Sequence, residues 1–238
     1  MAEYQTAKNY VDTSQSIDVG LRAHMNKVYG LMAVAMIITG AVAFAVGTTP
    51  ALVNAIFGTW LQWVVMLAPL GVVFMFGAKI HSMSVATAQL VFWVFAALIG
   101  LSISYIFVIY TGISIAQTFF TTAIAFAALS LYGYTTKRDL TAMGSFLFIG
   151  LVGIIVASIA NWFLQSPVMH LAISAIGVLI FAGLTAYDTQ NIKNTYIQFR
   201  SAYGEEYAEK MGIMGALSLY LNFLNMFMFL LQFMGNRD

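Results

Sequence analysis

The sequence predicts an all-α membrane protein, a seven-transmembrane-helix bundle with the last helix central. Three observations predict it. First, 61% of the 238 residues are hydrophobic and only 8% are charged, whereas a soluble domain carries about 25% charged residues; the mean hydropathy is +0.86. Second, the apolar residues fall in repeated runs of about 20, enough at ~1.5 Å per residue to cross a hydrocarbon core of ~30 Å. Strands of a membrane barrel would instead alternate in polarity over about 10 residues, and no such alternation occurs. Third, the lysines and arginines are distributed as a seven-span topology requires.

In chain order, residues 1–27 are polar and mixed in charge. They read as a cytoplasmic N-terminal segment and not as a signal peptide, because no short apolar core with a cleavage site precedes the first long run. The chain thus divides into this segment and a membrane domain over 28–238. The spans are expected at 28–47, 60–78, 86–109, 115–134, 145–164, 168–188 and 213–234. The second contains "APLG" at 68–71, which puts Pro69 inside a helix and predicts a kink. After the sixth, Ile192, Tyr196, Phe199 and Tyr203 recur at helical spacing. The sixth helix is therefore expected to continue as an amphipathic extension until Gly204.

Lys8, Arg22 and Lys27 precede the first span, Lys79 follows the second, Lys137 and Arg138 follow the fourth, and Lys193, Arg200 and Lys210 lie between the sixth and seventh. With seven spans, nine of the ten basic residues share one side and Arg237 alone lies opposite. The positive-inside rule makes that side cytoplasmic, with the C-terminus outside. Trp60, Trp63, Tyr105, Tyr110 and Trp162 are expected near the outer interface, and Tyr132, Tyr134 and Tyr187 near the inner one.

Several classes of function are excluded. A net charge of +1 makes no field that would recruit nucleic acid. The absence of cysteine removes disulfides, thiolate metal sites and thiol nucleophiles. His24, His81 and His170 fall on segments that the topology keeps apart, and no HExxH, P-loop or GxSxG is present. The chain reads as a non-enzyme without a cofactor, and Lys137 and Arg138 read as topogenic charges.

The polar residues within the spans are more informative. Eight of the nine acids lie in loops or tails, and Asp188 lies at the inner end of the sixth span. An ionisable group there faces protein or a water-filled cavity. In the last span, Gly215, Ser218, Asn222, Asn225 and Gln232 follow steps of 3, 4, 3 and 7, making one stripe interrupted by Phe229. An amide facing hydrocarbon is costly, so this stripe faces other helices. Asp188 and Asn222 are expected to meet at one depth, with Ser218, Asn225 and Thr185 as further oxygen donors nearby.

Four stretches carry a family resemblance: "ISYIFVIYT" (103–111), "YGYTTKRDL" (132–140), "GLTAYDTQNI" (183–192) and "ALSLYLNFLNMF" (216–227). Together they resemble the Bax inhibitor-1 (TMBIM) family, particularly its bacterial branch. The resemblance covers nearly all of the chain past residue 20. It implies seven helices with the last central, a multi-pass protein of the bacterial inner membrane, and a calcium leak gated by pH through two aspartates. Asp188 matches the first aspartate; Asn222 stands at the second. An Asp–Asn pair lacks the repulsion that makes two carboxylates share a proton, so the pH response is expected to be weakened or shifted. A carboxylate with amide and hydroxyl oxygens suits weak, transient calcium binding at Asp188. The alternative function is a regulator that binds other membrane proteins, such as a membrane-bound quality-control protease, through residues 1–27 or 189–212. The expected partners are the lipid bilayer and calcium ions, and no nucleic acid.

Overall fold

Gly204 organises the C-terminal third of the chain. Helix runs from Pro167 to Met234, and Gly204 interrupts it with φ 82° and ψ 179°, a backbone state open to glycine because it has no Cβ. The computed structural model describes the backbone of residues 2–237 and the side chains of 19–198 and 204–237. Seven helices are long and apolar enough to cross a membrane: α1 (Val19–Gly47), α2 (Leu61–Ser82), α3 (Val85–Ile109), α4 (Gly112–Thr135), α5 (Thr141–Leu164), α6 (Pro167–Gln198) and α7 (Gly204–Met234). A short helix, Pro50–Phe57, links α1 to α2. No strand occurs among the described residues, apart from an isolated bridge between Tyr110 and Arg237.

The helices outrun the apolar runs. Helical backbone at α1 begins at Ala2 and passes through the expected boundary at 27 and 28 without a break. At α6 the extension beyond 188 is helical up to the Gly204 turn, as the spacing predicts, and Ile192 and Tyr196 are buried. The side chains of Phe199 and Tyr203 lie outside the described residues, as do those of residues 1–18. The difference in boundaries has a simple cause: hydropathy marks the lipid-facing length, whereas hydrogen bonding continues wherever an amphipathic face finds something to cover it. Pro69 lies buried inside α2 without ending the helix.

Polar residues stop and start the helices at the turns. The hydroxyl oxygens of Ser84, Thr111 and Ser166 accept from the backbone N–H of Thr87, Ser114 and Met169 at 3.1, 3.1 and 3.3 Å. Before α5, the Asp139 carboxylate accepts from the N–H of Thr141 at 2.9 Å and from its hydroxyl at 2.6 Å. These two bonds, the side-chain one foremost, hold the exposed Asp139 carboxyl below its ordinary range.

Between membrane helices there is no hydrophobic drive, so close approach and hydrogen bonds decide what packs. Of the most apolar stretch of α7, 61% is buried, against 17–33% for the other six. Named contacts tie α7 to four neighbours: Tyr220 to Thr39 of α1 and to Phe92 and Phe95 of α3, Phe223 to Phe119 and Phe126 of α4, and Phe229 to Phe181 of α6. Gly133 of α4 lies so close to the backbone of Ala186 on α6 that a Cβ would collide with its carbonyl. Deep in the bundle, the Thr39 hydroxyl donates to the Ala96 carbonyl at 2.8 Å. Its single proton is thereby used, and it accepts from the Tyr220 hydroxyl at 2.7 Å. That pair joins α1, α3 and α7.

The basic residues gather at one end of the bundle. Lys27 pairs with Glu209 at 2.5 Å, Lys210 with Glu206 at 2.9 Å, and Lys193 donates to the Tyr134 carbonyl at 2.7 Å. At the opposite end Arg237 lies over the Tyr110 ring at 5.9 Å. Tyr110 is only 6% exposed, so it is covered by the C-terminal residues and does not face headgroups as the sequence pattern implies. Trp60, Trp63 and Trp162 are the exposed aromatics of that group.

Candidate functional site

α6 and α7 form an antiparallel hairpin about the Gly204 turn. Contacts climb it as Ile192 on Gly215, Asp188 on Asn222, Gly177 on Phe229 and Ser174 on Gln232. The stripe read from α7 therefore faces α6. Its members occupy successive levels because steps of three and four keep them on one side of the helix.

At the second of these levels the Asn222 Nδ2 donates to the Asp188 Oδ2 at 2.7 Å. Asn222 is 5% exposed. Asp188 lies roughly 24 Å along its helix from Gly204, at ~1.5 Å per residue. No basic residue pairs with it among the described residues. The amide is a neutral donor, so it steadies the carboxylate without cancelling its charge.

Asp188 also lines a cleft of about 130 Å³. The cleft runs along α6 from Asp188 past Asn191 and Thr195 to Tyr196, and along α7 from Ser218 back to Tyr207. It thus leads from the carboxylate toward the basic end. His24 stands at that mouth, its ring stacked on Tyr196 with centroids 4.5 Å apart. This space is large enough for a few waters, and Asp188, Asn191, Thr195 and Ser218 offer them polar partners.

Of the expected site residues, the structure brings Asp188, Asn222 and Ser218 together: the first two bond directly and Ser218 shares the cleft with Asp188. Asn225 is one turn away and its Nδ2 donates to its own helix at the Leu221 carbonyl, 2.8 Å. Thr185 is fully buried and its hydroxyl donates to the Phe181 carbonyl at 2.7 Å. Neither is a donor to the Asp188 cleft in this conformation. No group of three or more histidine or acidic side chains is placed to hold a metal among the described residues.

Sequence reasoning missed how this end of α6 is anchored. The Gln190 Oε1 accepts from the N–H of Leu140 at 2.9 Å, and its Nε2 donates to the Arg138 carbonyl at 2.8 Å. Lys193 donates to the Tyr134 carbonyl with its ammonium 5.7 Å from that ring. The "TTKRDL" turn is thus clipped to α6 beside the Asp188 turn. A lone glutamine two residues after the acid was the only signal. Thr189, on the same helix turn, donates to the Thr185 carbonyl at 2.8 Å and lies 3.4 Å from the Ser130 hydroxyl of α4.

Comparison with known proteins bears on this site. Residues 21–238 match the family described as Inhibitor of apoptosis-promoting Bax1. The chain is 44% identical to the protein RP147 of Rickettsia prowazekii over 237 residues, covering 100% of this chain and 99% of that one. It is 42% identical to the inner membrane protein YbhL of Escherichia coli over 219 residues, 92% of this chain and 93% of YbhL. A Caulobacter vibrioides protein is 44% identical over 234 residues, 94% of this chain and 92% of its own length.

Proposed function

The chain belongs to the Bax inhibitor-1 family, and from that premise we propose that it is a cation leak of the membrane, permeable to calcium, whose gate is the Asp188–Asn222 contact. The observation that carries this reading is the carboxylate at the closed end of a water-sized cleft, held by an amide of the neighbouring helix. The carboxylate attracts a cation entering from the basic end. The amide must release it, and α6 and α7 must part, for the ion to go further. In this reading the basic end is cytoplasmic, as in the positive-inside rule, and the protein resides in an inner membrane like YbhL.

An amide in place of a second acid changes the gate. Two carboxylates at this distance would share a proton and repel one another when it leaves. Asn222 has no proton to lose near neutrality, so one source of pH response is removed. The test is calcium flux into proteoliposomes across a pH range, for the native chain, Asp188→Ala and Asn222→Asp. Flux that vanishes in Asp188→Ala and becomes steeper with pH in Asn222→Asp supports the proposal. Flux unchanged in Asp188→Ala ends it, and identical pH profiles for the native chain and Asn222→Asp end the gating part.

A second reading has its own observation. The N-terminal side of α1 meets the α6–α7 extension through Lys27–Glu209 and His24–Tyr196, making one composite polar end. Such a surface suits a regulator docking on another membrane protein, for instance a quality-control protease. Removing residues 1–27 should then abolish co-purification with that partner while flux persists.

A further inference from the structure

Away from the α6–α7 cleft, two helices face one another without close packing. α1 packs on α3 and α7, and α4 on α6 and α7, but α1 and α4 are not closely packed on each other. Between them lie two cavities lined chiefly by the same helix pair, one of about 590 Å³ and one of about 370 Å³. On α1 the lining positions step by threes and fours from Arg22 to Tyr29 and again from Met36 to Phe44; on α4 they do so from Gly112 to Phe120 and from Phe126 to Tyr134. Each set is one face of its helix. From Arg22 to Gly40 the two chambers together span about 27 Å along α1 at ~1.5 Å per residue, most of the depth of the ~30 Å hydrocarbon core.

We propose that this crevice is a binding site for an anionic phospholipid, with an acyl chain between α1 and α4 and the phosphate at Arg22 and Asn26. The walls say what enters. They are almost wholly apolar over most of the length, and rim residues such as Phe120 and Leu131 are 66% and 63% exposed, so the crevice opens sideways to the surrounding hydrocarbon. Each chamber lies within the 300–1,000 Å³ range common for small-molecule sites.

Polarity appears at one end only. Arg22 is exposed and forms no ion pair among the described residues, whereas Lys27 and Lys210 are each paired with a glutamate. Asn26 and the rings of Tyr29 and Tyr134 share that mouth, and among the described residues no carboxylate lines either chamber. Lys193 stands behind Tyr134, and Lys137 and Arg138 follow it in the chain. A planar guanidinium fork with a neighbouring amide matches the several acceptor oxygens of a phosphate, and a basic pocket between membrane helices is a recognised headgroup geometry. The occupant comes from the leaflet that holds the basic end of the bundle. This site is distinct from the Asp188 cleft, which lies between α6 and α7 and takes only His24 from α1.

The test uses the full chain in phosphatidylcholine vesicles containing a trace of phosphatidylglycerol with a photoactivatable acyl chain, against the same trace of photoactivatable phosphatidylcholine. The proposal expects label concentrated on the facing sides of α1 and α4, around Leu131 and Tyr29, and severalfold more from phosphatidylglycerol. Arg22→Gln should bring the phosphatidylglycerol signal down to the phosphatidylcholine level. Ala127→Leu, which fills the inner chamber from an exposed position, should lower both signals severalfold. Added salt should erase the difference between the two lipids, and inorganic phosphate at equal ionic strength should do no more. Equal labelling by the two lipids in the native chain, label spread evenly over the outward faces of α2 and α5, or disulfide trapping of two chains through a cysteine at Leu131 would each overturn it. Should Arg22→Gln fail to fold, the salt titration and Ala127→Leu decide the matter on their own.

Discussion

The α6–α7 pair and the α1–α4 pair are both antiparallel or adjacent helices of similar length, yet one is sealed and the other stands open. α7 presents Gly215, Ser218 and Asn222 toward α6, so that the Ile192 side chain packs directly on Gly215 and a 2.7 Å hydrogen bond forms across the gap. The facing sides of α1 and α4 carry Met25, Tyr29, Phe119, Phe126 and Tyr134 along with small residues such as Gly40 and Ala116, and among the described residues no hydrogen bond is seen to cross between them. Lipid tails solvate those side chains as well as another helix would, so nothing draws the two together. In a bilayer it is small and polar residues that close an interface. Bulky apolar ones leave it to lipid.

The comparison can be broken at its sealed side. Asn222→Leu removes the donor from a partly buried carboxylate and should cost about 3 kcal/mol, read as a large fall in the thermal unfolding midpoint in micelles; an unchanged midpoint would mean that the bond does not hold the hairpin. Gly133→Ala comes next. Its Cβ meets the Ala186 backbone, which cannot swing aside, and such overpacking costs about 2 kcal/mol. The matched change on the open side, Gly40→Ala, places a Cβ where nothing lies within 4 Å, and the same scan should find almost no shift. Gly133 lies at the α4–α6 contact, so equal effects of the two glycine variants would erase the distinction between a closed interface of α6 and the open α1–α4 face.

Two smaller effects sharpen the contrast. Tyr220→Phe deletes the hydroxyl that donates to Thr39, while Thr39 keeps its bond to Ala96. A loss of about 0.6 kcal/mol is expected, the average for hydrogen bonds between membrane helices. Asp139→Asn is smallest because the group is exposed. The Asp139 carboxyl is lowered in the folded state, so its contribution is complete above the ordinary carboxylate value of about 3.9 and fades as pH falls through the lowered one. The native chain and Asp139→Asn should differ slightly at neutral pH and converge in strong acid; a gap that widens in acid would reverse the sign.

Much of the sealed interface was legible in the sequence because polar residues are rare in it. An acid and a five-member stripe in a chain with 8% charge must face protein, and helical spacing then chooses the face. Gly204 could be placed as a helix end from the periodicity before it. The open pair left no such mark: α1 and α4 carry apolar residues on every side, so no periodicity separates a lipid-filled face from a packed one. Gln190 was equally silent, since its two bonds go to backbone atoms of Arg138 and Leu140, which no side-chain pattern announces. Tyr110 misled because an aromatic near a helix end looks the same whether it meets headgroups or the chain's own last residues.

The Thr39–Tyr220 pair carries one more consequence. A relay of hydroxyls moves protons only if every member can receive on one side and give on the other. Here the final acceptor is an amide carbonyl, Ala96, which takes a hydrogen bond and passes nothing on. Two buried hydroxyls that resemble the start of a wire are therefore a dead end, and a proton reaching the α1–α3–α7 junction is passed no further along this pair.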